Sequence, residues 1–318
     1  MRSVYLDGGV VSVRAAPRPR RPEGFALIRL LLGGICNTDL ELQRGYYGFR
    51  GVPGHEFVGE VVEADTLALV GKRVVGEINL ACGHCDWCAR GLGRHCLRRT
   101  VLGIVKHPGA FRELLTLPEG NLHVVPAALS TERAVFTEPV AAACEILDQV
   151  KIPPGAEVAV LGDGKLGLLI AQVLHAHGAR VHHFGRHREK LRISAAAGAT
   201  VELVRKRMPV AAYPWTVDAT GSASGLMLAA AMTRPRGTLI MKSTVHGLVS
   251  IDTAPLVVNE ITLVGSRCGR FEPALKLLAS GKVRTDDMIS ADFALSRAPQ
   301  AFAKAAGKGI LKVLLRLQ

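Results

Sequence analysis

Ala159-Val160-Leu161-Gly162-Asp163-Gly164-Lys165-Leu166-Gly167, running on into Leu168-Leu169-Ile170-Ala171-Gln172-Val173-Leu174, is the stretch that decides the fold. A short apolar run ends in three glycines with G-x-G-x-x-G spacing, and a helix-period pattern opens at Lys165. In such a loop Gly162 permits a tight turn and Gly164 leaves bare backbone for a pyrophosphate. Gly167 lets the helix pack close to its strand, and the helix N-terminus attracts phosphate charge. Glycine triplets alone are common in ordinary turns. Here the triplet follows a strand-like run, opens a helix and precedes a second strand, the context a dinucleotide site requires. Gly162, Gly164, Lys165, Leu166 and Gly167 are therefore candidate cofactor-binding residues.

Outward from that loop the texture differs on its two sides. Toward the C-terminus, strands and helices alternate: strand 158–161, helix 165–177, strand 180–184, helix 188–197, then strands 216–220, 237–241 and 262–265, with helix 222–233 between two of them. This alternation predicts a parallel, doubly wound α/β sheet. Residues 1 to about 130 read instead as short β-type runs (10–13, 26–30, 58–62, 73–76) between Gly and Pro punctuation. The tail carries helices at 273–280 and 298–306 and a closing strand at 311–315, expected to return to the first domain.

With 318 residues and 48% hydrophobic content, the chain is long enough for two packed domains. No apolar run reaches the roughly 18 residues of a membrane span, and the N-terminus has no signal-type apolar region. The expectation is a cytoplasmic protein without membrane partners. A net charge of +13 raises the question of nucleic acid, but aromatics make up only 5% of the chain and do not interleave with the Arg/Lys clusters. A solvated basic surface with some cofactor-phosphate contacts is the better reading.

Seven cysteines are present, and four crowd into one loop as C-x2-C-x2-C-x7-C: Cys82, Cys85, Cys88 and Cys96. That spacing can wrap one tetrahedral zinc, and a fully thiolate shell leaves no position for substrate, so the site would hold a lobe together. An iron–sulfur cluster and four free thiols are the alternatives. Elsewhere, Gly34-Ile35-Cys36-Asn37-Thr38-Asp39 and Gly54-His55-Glu56 each mean little alone. Together they offer one soft sulfur ligand, one imidazole and one or two carboxylates, a set that leaves a coordination position for an alcohol oxygen.

These motifs, with Glu138-Pro139 and Val217-Asp218-Ala219-Thr220-Gly221, occur in the order found in the zinc-dependent medium-chain dehydrogenase/reductase superfamily, which the chain resembles over nearly its whole length. The resemblance is to the alcohol and polyol dehydrogenase group. It implies a GroES-like β-rich catalytic domain, residues 1–144 completed by 269–318, around a Rossmann domain, 145–268. It implies two zinc ions per chain: a catalytic one at Cys36, His55, Glu56 and Glu138, and a structural one at Cys82, Cys85, Cys88 and Cys96. Cys144 competes with Glu138 for completing the catalytic site. Thr38 matches the hydroxyl that carries off the substrate proton, and Asp39 would orient a ligand. Where the family's alcohol dehydrogenases end the proton relay with a histidine, this chain has Glu41. Hydride would pass between a small-molecule alcohol or carbonyl and a nicotinamide lined in part by Thr220. A homodimer or homotetramer is the expected assembly.

Cofactor choice is read at the end of the second strand, about 20 residues past the loop, where a carboxylate marks a free ribose 2′-hydroxyl. This chain has Phe184-Gly185-Arg186-His187-Arg188 there, with no carboxylate before Glu189. Gly185 for space and Arg186 or Arg188 for charge favour NADP(H) over NAD(H). The competing functions are a zinc-free quinone or enone reductase of the same superfamily and a non-catalytic nucleotide- or nucleic-acid-binding relative.

Overall fold

The computed structural model describes residues 1–243 and 250–317. The chain divides into two compact units, residues 1–138 with 288–318 and residues 139–287.

The first unit is built on a seven-stranded sheet whose centre is the long strand Phe25–Ile35. Its nearly continuous apolar sequence is buried along most of its length, as a strand covered on both faces must be. Strand Glu56–Glu63 runs antiparallel to it on one side, with Gly34 opposite Glu56. On the other side lies the closing strand Lys312–Arg316, with Ile35 opposite Val313, so the tail does return to this sheet. Strand Leu114–Pro118 also pairs with Phe25–Ile35. This pairing fixes the site: Cys36 leaves the end of one strand where Glu56 begins its antiparallel neighbour.

The second unit carries a six-stranded sheet in which every pairing is parallel. From edge to edge the strands are Thr200–Leu203, Arg180–Gly185, Glu157–Leu161, Tyr213–Asp218, Thr233–Met241 and Thr262–Gly265. The order reverses between Glu157–Leu161 and Tyr213–Asp218, and the glycine loop leaves the sheet at that reversal. In open α/β sheets this is where ligands bind. Helix Lys165–Ala176 follows the loop and buries Leu168, Leu169, Ile170, Val173 and Leu174. Phe184, Tyr213 and Leu239 of the sheet pack in one cluster with Leu226 and Met232 of helix Ala223–Met232.

The unit boundaries differ from those read in the sequence. Residues 269–287, expected to complete the first domain, cluster with the second. Helix Phe271–Ala279 buries Phe271, Ala274, Leu275 and Leu278, and Arg270 beside it makes a two-pronged ion pair with Asp148. The front boundary falls at Glu138 instead of residue 144, inside helix Thr137–Gln149.

Candidate active and metal sites

Cys36, His55 and Glu56 meet in the first unit, each offering a ligand atom within 4.8 Å of the others. His55 and Glu56 are buried, and Cys36 is half-buried. Asp39 ties the group together from helix Asn37–Gln43. Fully buried, it accepts a hydrogen bond from the Cys36 amide (2.8 Å) and another from the Gly54 amide (3.1 Å), and its carboxylate lies 3.4 Å from His55 Nδ1. One carboxylate thus holds the two chain segments that supply the thiol and the imidazole. Burial alone would drive the His55 imidazole neutral. The Asp39 carboxylate and the Cys36 side chain beside it outweigh that and hold its pKa well above the ordinary histidine range.

Behind Glu56 stands Lys312 on the closing strand. Both side chains are 1% exposed, and Lys312 Nζ donates to Glu56 Oε2. A Cβ on Gly34 would lie 2.8 Å from that oxygen and 3.2 Å from Lys312 Cδ, so only glycine leaves room for the pair. Glu56 Oε1 is buried without a hydrogen-bond partner. A desolvated carboxylate oxygen beside a thiol and an imidazole costs free energy unless something satisfies it. The donor set of one S, one N and one O suits zinc.

Thr38 Oγ1 lies 3.8 Å from Cys36 Sγ. Glu41, one turn further along the helix, is paired with Arg44 at 2.6 Å. Tyr46 and Tyr47 stack with centroids 4.1 Å apart, and Tyr47 is 67% exposed. Glu138, near the start of helix Thr137–Gln149, is not among the residues grouped within 4.8 Å of one another at the Cys36 site. Cys144 in the same helix is buried, and burial followed by the Asp148 charge pushes its thiol up to about 12.

The four loop cysteines form a second cluster, all Sγ atoms within 4.8 Å. Cys85–Cys88, Cys85–Cys96 and Cys82–Cys88 are separated by 3.5, 3.7 and 4.0 Å. A tetrahedron with metal–sulfur bonds of about 2.3 Å has edges of about 3.8 Å, so the loop is already shaped for one ion. The short helix Asp86–Ala89 sets the position of Cys88. The thiols also differ in acidity. The His84 amide draws Cys82 down to about 6. At Cys85 the Cys88 amide pulls down, but burial and the neighbouring thiols push it up to about 11.

In the second unit the glycine loop has the form its sequence requires. Gly162 sits at φ 111°, and a Cβ on it would strike the Ala219 carbonyl at 2.4 Å. A Cβ on Gly167 would come within 1.8 Å of the Gly162 carbonyl, which measures how closely the helix packs on the turn. Beside Gly164 there is nothing within 4 Å, so the middle of the loop is open backbone at the start of helix Lys165–Ala176. Thr220, at the end of the neighbouring strand, is fixed by its amide and hydroxyl to Asp218 Oδ1 at 3.0 and 2.7 Å.

Residues 22–127 match the model of the alcohol dehydrogenase GroES-like domain, and residues 166–280 that of the zinc-binding dehydrogenase family. The structure superposes on the alcohol dehydrogenase of Thermus sp. ATN1 with a TM-score of 0.91 and 31% identity, covering 100% of both chains. A protein of Sinorhizobium meliloti solved with NADP bound gives a TM-score of 0.89 at 28% identity, over 99% of this chain and 98% of that one. The sorbitol dehydrogenase of Halalkalibacterium halodurans is 28% identical over 96% of each chain. The chain belongs to the zinc-dependent medium-chain dehydrogenase/reductase superfamily. It is an oxidoreductase.

Two residues of this oxidoreductase escape a reading of the sequence. Lys312 lies 256 positions from its partner Glu56 and reaches it only through the closing strand. Asp163, inside the glycine loop, folds over onto the end of the second strand, where the sequence shows no carboxylate. The space expected beside Gly185 is filled by it: a Cβ there would lie 2.5 Å from Asp163 Oδ2. A turn of the chain, invisible to a position count, brings the acid to that strand end.

Proposed function

We propose that this enzyme is a zinc-dependent dehydrogenase that moves hydride between an alcohol, or the corresponding aldehyde or ketone, and NADP(H). The observation that carries the reading is the Cys36–His55–Glu56 group, two of its members buried, with its orphaned carboxylate oxygen. These three residues would hold the catalytic zinc, with Glu138 or Cys144 as a further ligand, and the Cys82, Cys85, Cys88 and Cys96 loop would hold a structural one. Bound zinc would supply a Lewis acid that lowers the pKa of the substrate hydroxyl, and the nicotinamide would supply the hydride acceptor.

The chain's own residues do the rest. Asp39 keeps Cys36 and His55 at a fixed separation, and Lys312 holds one Glu56 oxygen while leaving the other for the ion. The Thr38 hydroxyl, beside the Cys36 sulfur, takes the proton that the substrate hydroxyl gives up. Glu41 is engaged by Arg44, so the proton passes from Thr38 to water. Gly162, Gly164 and Gly167, with the amides of Lys165 and Leu166 at the helix start, cradle the pyrophosphate. Arg186 and Arg188, exposed at the end of the second strand, supply positive charge for a ribose 2′-phosphate.

A panel of polyols and simple alcohols, assayed at the nicotinamide absorbance with either cofactor, tests the reading. Turnover that is faster with NADP+ and abolished by a strong chelator is the expected result. Turnover indifferent to metal removal would contradict it. Assembly as a homodimer or homotetramer is part of the proposal: Leu263 is exposed on the edge strand Thr262–Gly265, and Val257 and Val258 are exposed on the preceding helix Ala254–Val258.

A further inference from the structure

The loop that follows the second strand of the parallel sheet is held by a carboxylate from the glycine turn. Asp163 is 8% exposed, and its Oδ2 accepts the amides of Arg186 (2.5 Å) and His187 (2.6 Å). Both of its oxygens lie 3.1 Å from His187 Nδ1. Below it, the Gly162 amide donates to the Phe184 carbonyl at 2.8 Å. His183 Nε2 donates to the Gly162 carbonyl at 2.9 Å, and its Nδ1 meets the Ser194 hydroxyl at 2.8 Å. The turn and the strand end are therefore locked together at several points. Gly185 is what admits the carboxylate, because a Cβ there would lie 2.5 Å from Oδ2 and 2.6 Å from the Asp163 Cβ.

A carboxylate near the second strand would ordinarily read the ribose diol. This one already accepts from two main-chain amides and an imidazole, so it has little capacity left for a sugar hydroxyl. What the locked loop presents outward is Arg186, His187 and Arg188, all exposed, at the N-terminus of the nine-residue helix Arg188–Ala196. Lys190 and Arg192 follow one turn on, and Glu189 is the only acid among residues 186–192. Cationic side chains at a helix N-terminus suit a dianionic phosphate.

We propose that Asp163 is a positioning residue for cofactor selection: by binding the Arg186 and His187 amides and the His187 ring, it fixes the basic strand end as the subsite for the 2′-phosphate of NADP(H). Without that anchor the arginines keep their charge but lose their fixed placement, and discrimination between the two cofactors falls. The inference rests on the NADP(H) reading above, which can fail separately.

The test is direct binding of NADPH and of NADH to the zinc-loaded enzyme, followed by nicotinamide fluorescence, for wild type, Asp163→Asn and Gly185→Ala. The second variant displaces the carboxylate without removing it. Both should weaken NADPH by about tenfold and leave NADH within about threefold, the loss of roughly one charged contact. Thermal unfolding of each variant identifies any that fails to fold, in which case the other decides. An unchanged NADPH-to-NADH ratio, with both cofactors weakened alike, would mean Asp163 only supports the fold and would overturn the proposal. Tighter NADPH binding in the variants would overturn it too, showing the carboxylate to be a repulsive charge. Wild type binding NADH more tightly sinks the NADP(H) reading, while the Asp163 role still stands or falls on whether the ratio moves.

Discussion

Asp39 and Asp163 do related work in the two units: each is a buried carboxylate that accepts main-chain amides, Asp39 from Cys36 and Gly54 and Asp163 from the adjacent Arg186 and His187, and so ties one segment to another. Asp39 is legible in the sequence through the motif that contains it, whereas Asp163, at a variable position inside the glycine motif, looks like a loop surface charge until the chain folds. Replacing Asp39 by Asn halves its acceptor capacity toward Cys36 and Gly54 and removes the charge facing His55. Zinc affinity at the Cys36 site should fall about 10–100-fold, measured by chelator competition, with the cysteine loop still loaded. Undiminished affinity would show that Cys36 and His55 are placed without it. For Asp163, burial raises the pKa, but the His187 ring and the two amides outweigh it and hold the carboxylate below its ordinary range. A group depressed in the folded state stabilises above its unfolded pKa of about 3.9 and loses that contribution as pH falls. Wild type should therefore exceed Asp163→Asn in stability by about 1–3 kcal/mol at neutral pH, and thermal melts should show the gap closing below about pH 4. A gap independent of pH would contradict this.

At the scale of elements, the strongly patterned segments were legible and the weakly patterned ones were not. Strand Glu157–Leu161, helix Lys165–Ala176 and strand Arg180–Gly185 lie where apolar runs and glycines put them. Strand Thr200–Leu203 leaves no mark in the sequence, since its exposed and half-buried residues at a sheet edge carry no apolar run. Helix Asn37–Gln43 is a seven-residue element too short to establish a period, and strand Leu114–Pro118 ends in a proline that argues against it. Cys36, His55 and Glu56 stand out in the sequence by type and spacing, but their meeting depends on the register of Gly34 opposite Glu56, which no local pattern reveals. Two element-level predictions follow from packing. Gly167→Ala places a methyl 1.8 Å from the Gly162 carbonyl and should abolish dinucleotide binding by forcing helix and turn apart, as read by cofactor fluorescence. Cys85→Ser should remove one metal equivalent and lower the melting temperature, since binding energy at a closed site is folding energy. Equal stability with and without that ion would argue against a structural role for the loop.

For the molecule as a whole, the net charge of +13 is spread over a surface where many arginines already have acidic partners. Arg2 pairs with Glu113, Arg21 with Asp65, Arg29 with Glu60 and Arg316 with Glu132 and Asp292. Exposed pairs of this kind add little stability but dilute a continuous basic face. No helix among the described residues is long and apolar enough to cross a membrane. The proposed chemistry lies in two places: the S, N, O donor group of Cys36, His55 and Glu56 in the first unit and the glycine loop in the second. Zinc analysis combined with alcohol oxidation, run on wild type and Cys36→Ser side by side, tests it most directly. Wild type should hold two zinc ions and oxidise an alcohol. The variant should hold one, bind the cofactor normally and turn over nothing. A variant that keeps both metal ions, or still oxidises the alcohol at the wild-type rate, would contradict the assignment of Cys36 to a catalytic metal.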